Sequence, residues 1–142
     1  MFVFATIICA NAQSESPSYT ISIAGDSAFL SPETEAFSIH TGYISHQVDL
    51  NGDYLIDLII NLDNCGNWGD CIFGIYVANA DSSYSCVFEE YLPPFTIAKS
   101  LTTVNGAVWK DFSVHERSHD NNGHPIAVER KLFFDGRTYK LQ

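Results

Sequence analysis

Short segments in which apolar and polar residues alternate with a period of two recur along this chain, the spacing of half-buried strands rather than of helices. Tyr19-Thr20-Ile21-Ser22-Ile23 alternates in this way and is broken at Gly25-Asp26-Ser27. Leu55 to Leu62 (LIDLIINL) and Cys71 to Ala78 (CIFGIYVA) are nearly continuous apolar runs that suit central strands. A turn at Asn79-Ala80-Asp81-Ser82 leads to a hairpin partner over Tyr84 to Glu90, which Pro93-Pro94 ends. Phe95 to Val104 and Ala107 to His115 flank Asn105-Gly106, the strongest hairpin signal in the chain. Ile126 to Phe134 and Thr138 to Leu141 flank a second tight turn at Asp135-Gly136. Only Ser31-Pro32-Glu33-Thr34-Glu35 departs from the pattern. A serine cap, a proline at the first helical position and acids in the first turn predict a short helix of about two turns before Thr41-Gly42. The expected fold is mainly β: a single antiparallel sheet or sandwich-like domain with one short N-terminal helix, an α+β arrangement being the alternative.

With 142 residues, 46% of them apolar, the chain has the size of one domain and enough hydrophobic material to close a core. MFVFATIICANA reads as a secretory signal over residues 1–12, whose basic start is missing and whose Ala10-Asn11-Ala12 suits cleavage before Gln13. The mature β-rich domain then spans 13–142 and works outside the cytoplasm, in the periplasm or beyond it. Seven basic residues face seventeen acidic ones, a net charge of -10. Such a surface repels nucleic acid and anionic lipid and favours cations and basic protein partners. The signal stretch is too short to span a membrane. In an oxidising compartment Cys65 and Cys71 can close a small disulfide loop. Cys86 is then a buried free thiol, or a competitor for one of the other two.

His115-Glu116-Arg117-Ser118-His119 matches the zinc-protease pattern H-E-x-x-H letter for letter. That chemistry needs both histidines one turn apart on a helix, with the glutamate activating a metal-bound water. The residues before the motif alternate as a strand, and Asp120-Asn121-Asn122-Gly123 after it is a poor helix continuation. On a strand the two imidazoles share a face but stand about 13 Å apart. The expectation is a polar strand end running into an exposed turn, with a zinc hydrolase as a remote alternative. Gly25-Asp26-Ser27 resembles the start of a G-D-S-L hydrolase motif, but Ala28 replaces the leucine and no partner base is spaced to serve Ser27. No catalytic residue is assigned.

The more informative run is Val48-Asp49-Leu50-Asn51-Gly52-Asp53-Tyr54-Leu55-Ile56-Asp57. Asp49, Asn51, Asp53 and Asp57 put side-chain oxygens at loop positions one, three, five and nine, and the Leu55 carbonyl falls at seven. Three carboxylates so close repel one another unless a cation gathers them, and Ca²⁺ takes six to eight oxygens. An EF-hand is excluded, because position twelve is Ile60 rather than glutamate and a strand follows. The D-x-N-x-D-x-x-x-D run leading into an apolar strand resembles the calcium loop of FG-GAP and VCBS-type repeats. The resemblance covers about a tenth of the chain. It implies a structural Ca²⁺ held between strands of an extracytoplasmic β domain, with Asp49, Asn51, Asp53, Leu55 and Asp57 as ligands. Tyr54 stands where that pattern has glycine, and a tyrosine resists the left-handed conformation. The single copy implies no propeller. A broader likeness is to small secreted bacterial proteins that end in a phrase like Phe134-Asp135-Gly136-Arg137-Thr138-Tyr139. The alternative for the loop is a metal-free turn held by its own Asx hydrogen bonds.

Between the cysteines, Trp68 and Asp70 would sit on a short disulfide-closed loop. They are the candidate partner-binding residues, because a pre-ordered aromatic loses little entropy on binding. The bland reading of Trp68 is a lid on the sheet. The functional expectation is a non-enzymatic extracytoplasmic binding or accessory domain with a Ca²⁺ loop. The alternative is a periplasmic immunity protein or inhibitor of a basic cell-wall hydrolase or toxin.

Overall fold

A computed structural model describes residues 17–33, 40–65 and 70–142. Ten strands are formed among them: β1 (Ser18–Ala24), β2 (Ser27–Pro32), β3 (His40–Val48), β4 (Asp57–Cys65), β5 (Cys71–Ala78), β6 (Tyr84–Leu92), β7 (Phe95–Val104), β8 (Ala107–His119), β9 (Pro125–Phe134) and β10 (Tyr139–Leu141). Strands β1 to β6 follow one another as a meander that closes into a barrel, and β7 to β10 form a four-stranded sheet in the order β10-β9-β8-β7. Every pairing is antiparallel. The mainly antiparallel β class stands, but it is built as a barrel plus a sheet rather than as a single sheet. The barrel seam is short: Ser18 pairs with Ser85 and Tyr19 with Tyr84.

The expected helix is not formed where its start was read. Ser31 and Pro32 are the last residues of β2, paired with Thr20 and Tyr19 of β1. Pro32 lies past the last β2 residue that pairs with β3, where no partner strand asks for its missing N–H. Pairing with β1 therefore overrides a local cap signal. The rest of that segment, residues 34–39, and the signal stretch 1–12 lie outside the described residues. Among the described residues no helix is long and apolar enough to cross a membrane.

Two apolar cores account for the near-continuous hydrophobic runs. Tyr19, Ala28, Leu30, Leu58, Ile60, Tyr76 and Cys86 converge inside the barrel. A second core joins Ile59, Ile75, Val77, Val87, Phe88 and Leu92 of the barrel wall to Trp109, Phe112, Val114, Leu132, Phe134 and Tyr139 of the four-stranded sheet. Strands β4 to β6 are thus covered on both faces, so neither of their faces is free to be polar. Aromatic rings knit the interface: Trp109 stacks on Phe134 at 3.7 Å, and Phe95 meets both Phe73 and Phe112 edge-on. Inside the barrel the Tyr76 ring lies against Gly74, where a side chain would collide with it. Tyr19 in turn meets Tyr76 edge-on at 5.4 Å.

The Asn105-Gly106 hairpin forms with both residues at positive φ, 50° and 84°, the turn that matches strand twist. Strand β8 runs on to His119 and pairs with β9 up to Pro125. From His119 to Glu129 this hairpin arm is exposed at every residue.

Candidate functional site

The loop between β3 and β4 is organised by one carboxylate. Asp49 Oδ1 accepts the amides of Asn51 (3.3 Å), Gly52 (2.8 Å) and Asp53 (3.3 Å), and its Oδ2 accepts that of Tyr54 (2.8 Å). Two further Asx bonds continue the curl: the Asp53 amide donates to Asn51 Oδ1, and the Leu55 amide to Asp53 Oδ1. Burial works to raise the Asp49 pKa, but the amides of Tyr54, Gly52, Asn51 and Asp53 outweigh it and hold the carboxyl below its usual range. Gly52 and Tyr54 are both left-handed, at φ 75° and 68°. Tyr54 therefore takes the conformation that the sequence argued it would resist, with its side chain 94% exposed.

Asp57, at the start of β4, is wholly buried. Its Oδ2 accepts the Leu50 amide at 2.7 Å and its Oδ1 the Ala78 amide at 2.9 Å. Burial pushes its pKa up to about 6, against those two amides, and the charges of Asp53 and Asp49 push the same way. Leu50 is buried in the second core, and its carbonyl accepts the Lys110 amide of β8. The loop is thereby fastened to the end of β5 through Asp57 and to the second sheet through Leu50. Asp49, Asn51, Asp53 and Leu55 share one curled turn, whereas Asp57 lies beneath it as a clamp. Among the described residues no three His, Cys, Asp or Glu side chains converge as a ready metal cage.

The H-E-x-x-H residues lie in β8 with the extended spacing of a strand. His115, Arg117 and His119 alternate onto one face, and the Glu116 carboxylate pairs instead with Arg130 at 3.2 Å. These residues line a pocket of about 280 Å³ together with Asp70, Pro93 and Pro94. The His115 amide donates to the Pro94 carbonyl, which holds the strand against that corner. Of the two candidate partner-binding residues, Asp70 thus lines a cavity, and Trp68 lies outside the described residues. Cys65 and Cys71 form the expected disulfide, with Cα atoms 4.0 Å apart. Cys86 is not the free thiol expected of it: it too is disulfide-bonded.

No protein family, curated protein or solved structure matches this chain.

Two buried acids escaped the sequence reading: Asp111 on β8, whose carboxylate accepts the Ser100 and Thr102 hydroxyls and pairs with Lys131, and Glu89 on β6. Glu89 on β6 is 2% exposed and faces Gly74 across the ladder. The Tyr76 hydroxyl donates to Glu89 Oε1 at 3.3 Å, while Oε2 has no hydrogen-bond partner among the described residues. Burial raises the pKa to about 7, opposed in part by the Tyr76 hydrogen bond. The same burial, with the Glu89 charge beside it, raises the Tyr76 hydroxyl well above its ordinary value. Glu89 was hidden because the ladder slips between Ile75 and Tyr76, which breaks the alternation that would have marked it as inward.

Proposed function

We propose that this chain is a non-enzymatic extracytoplasmic binding module whose loop at Asp49–Asp57 takes a structural Ca²⁺ ion. The observation that carries this is Tyr54. A left-handed non-glycine residue costs about 1–2 kcal/mol, and a side chain this exposed gains almost nothing in packing. The loop nevertheless holds the conformation that a cation-wrapping curl needs at its sixth position. Asn51, Asp53 and Asp49 would supply side-chain oxygens and Leu55 its carbonyl; an oxygen that accepts one amide keeps a lone pair. Asp57 would contribute charge from below, since direct ligation would take its oxygens from the Leu50 and Ala78 amides. The ion supplies positive charge among three mutually repelling carboxylates. The resemblance of this loop to FG-GAP and VCBS-type repeats and the Cys65–Cys71 disulfide suit a domain of an oxidising compartment. At a hundredfold excess over Kd, Ca²⁺ should stabilise the fold by about 2.7 kcal/mol. Asp53→Ala should abolish the shift in thermal melting, and an unchanged melt in millimolar Ca²⁺ would remove the metal from the proposal.

A second reading, an inhibitor of a basic envelope hydrolase or toxin, is favoured by the surface beside the same loop. Tyr54, Leu55 and Ile56 are exposed beside the Asp49 and Asp53 carboxylates, next to a groove lined by Val48, Leu50, Leu101 and Val108 with Asp49 and Lys110 at its edge. Apolar contact rimmed by acid is what a basic partner with an aliphatic anchor requires. Co-purification of one basic enzyme, lost on Tyr54→Ala, supports it; recovery of the same proteins by that variant excludes it.

A further inference from the structure

The pocket beside Pro93 and Pro94 holds two opposite charges that do not use each other. Seven basic residues stand among seventeen acidic ones, so an arginine has ample choice of carboxylates. Arg130, Lys131 and Lys140 each take one. Arg117 takes none: among the described residues its guanidinium has neither a hydrogen bond nor an ion pair. Asp70, which lines the same pocket, likewise has no hydrogen-bond or ion-pair partner for its carboxylate among the described residues. Two other carboxylates stand nearby, of which only Glu116 has an ion-pair partner among the described residues. Glu116 is bound to Arg130, and Glu129 stands opposite His115 across the ladder. His115 and His119 flank Arg117 with ring nitrogens that can donate or accept.

We propose that this pocket binds a small zwitterion, a free amino acid or a short peptide, with Arg117 on its carboxylate and Asp70 on its ammonium. Three features converge on that class. A guanidinium fork matches a carboxylate through two parallel hydrogen bonds. A dianion such as phosphate would meet one permanent cation and one opposing carboxylate, and would enter against a net charge of -10. A zwitterion carries no net charge and satisfies both groups. The volume, about 280 Å³, lies at the small end of ligand pockets. Pro93 and Pro94 offer a rigid apolar wall for an aliphatic side chain.

The test is amide-shift titration by NMR of the intact chain with the standard L-amino acids one by one, with alanyl-leucine, and with N-acetyl-leucine and leucinamide. Saturable shifts at Asp70, His115, Arg117 and His119 are expected with at least one unblocked compound. The blocked compounds should bind about tenfold more weakly or worse, each lacking one charge. Tighter binding of an amino acid than of alanyl-leucine marks the free species as the ligand, and the reverse marks a peptide. Arg117→Gln should lose about tenfold for every carboxylate, and Asp70→Asn should lose affinity only for compounds with a free amine. Both side chains line an open pocket, so unchanged melting of the variants separates lost binding from lost fold. Saturation by the blocked compounds at equal affinity, or no saturable shift with any of them at millimolar concentration, overturns the proposal. Neither result touches the Ca²⁺ loop, whose residues the pocket does not share.

Discussion

Replacing Glu89 with glutamine removes a barrel-enclosed carboxyl, one of whose oxygens has no partner among the described residues, while keeping its shape and the oxygen that accepts the Tyr76 hydroxyl. Folding moves its pKa from 4.5 to about 7. Each unit corresponds to about 1.36 kcal/mol, so the ionised group costs the folded state about 3 kcal/mol once fully deprotonated. Because the folded value is the higher one, stability is fully present below about pH 4.5 and is lost as pH rises through about 7. Asp57, raised from 3.8 to about 6, adds a loss of the same sign at lower pH. The variant should therefore match the parent in acid, where both side chains are neutral. At about pH 8.5 it should be more stable by up to about 3 kcal/mol, worth about 10 °C in melting temperature for a domain of this size. Urea unfolding across that range reads the difference directly. Parallel stability curves for parent and variant would show that Glu89 does not titrate inside the barrel, and would refute the burial argument.

Further outcomes follow from single observations. Tyr54→Gly relieves the left-handed tyrosine and removes a side chain that packs on little, so it should raise stability by about 0.5–1 kcal/mol; a lower urea midpoint would show that Tyr54 holds the loop by contact. Trp109→Ala removes the ring stacked on Phe134 and should cost about 3–5 kcal/mol in chemical denaturation; a loss under about 1 kcal/mol would mean the second core closes without it. Replacing both Cys65 and Cys71 by serine frees a short loop, for which chain entropy gives a loss of about 2 kcal/mol at the same readout.

Much of this architecture was legible in the sequence because its cause is local. Asn105-Gly106 makes a hairpin turn wherever it falls between strands, since both residues tolerate positive φ. The neighbours of the H-E-x-x-H letters read as strand, and β8 runs through them. The Asp/Asn spacing of the loop announced an oxygen-lined curl, and Asp49 gathers four backbone amides there. The 65–71 disulfide was legible for the same reason, as a short loop brings its own ends together.

Where the determining partner lies far along the chain, only the tertiary structure decided. Ser31-Pro32 carries a helix-start signal, yet β1 recruits it as strand, and no property of the pentapeptide announces that pairing. Barrel closure hangs on two pairs between β1 and β6, Ser18 with Ser85 and Tyr19 with Tyr84, which no periodicity encodes. The register slip near Tyr76 turns Glu89 inward, and a one-residue shift exchanges the faces of a strand. Asp70, just before β5, and Arg117 of β8 line one pocket only because their two sheets pack on each other. Backbone preference is set within a few residues and so is written in the sequence. Which faces become interior, and which charges become neighbours, depends on long-range pairing that those few residues do not contain.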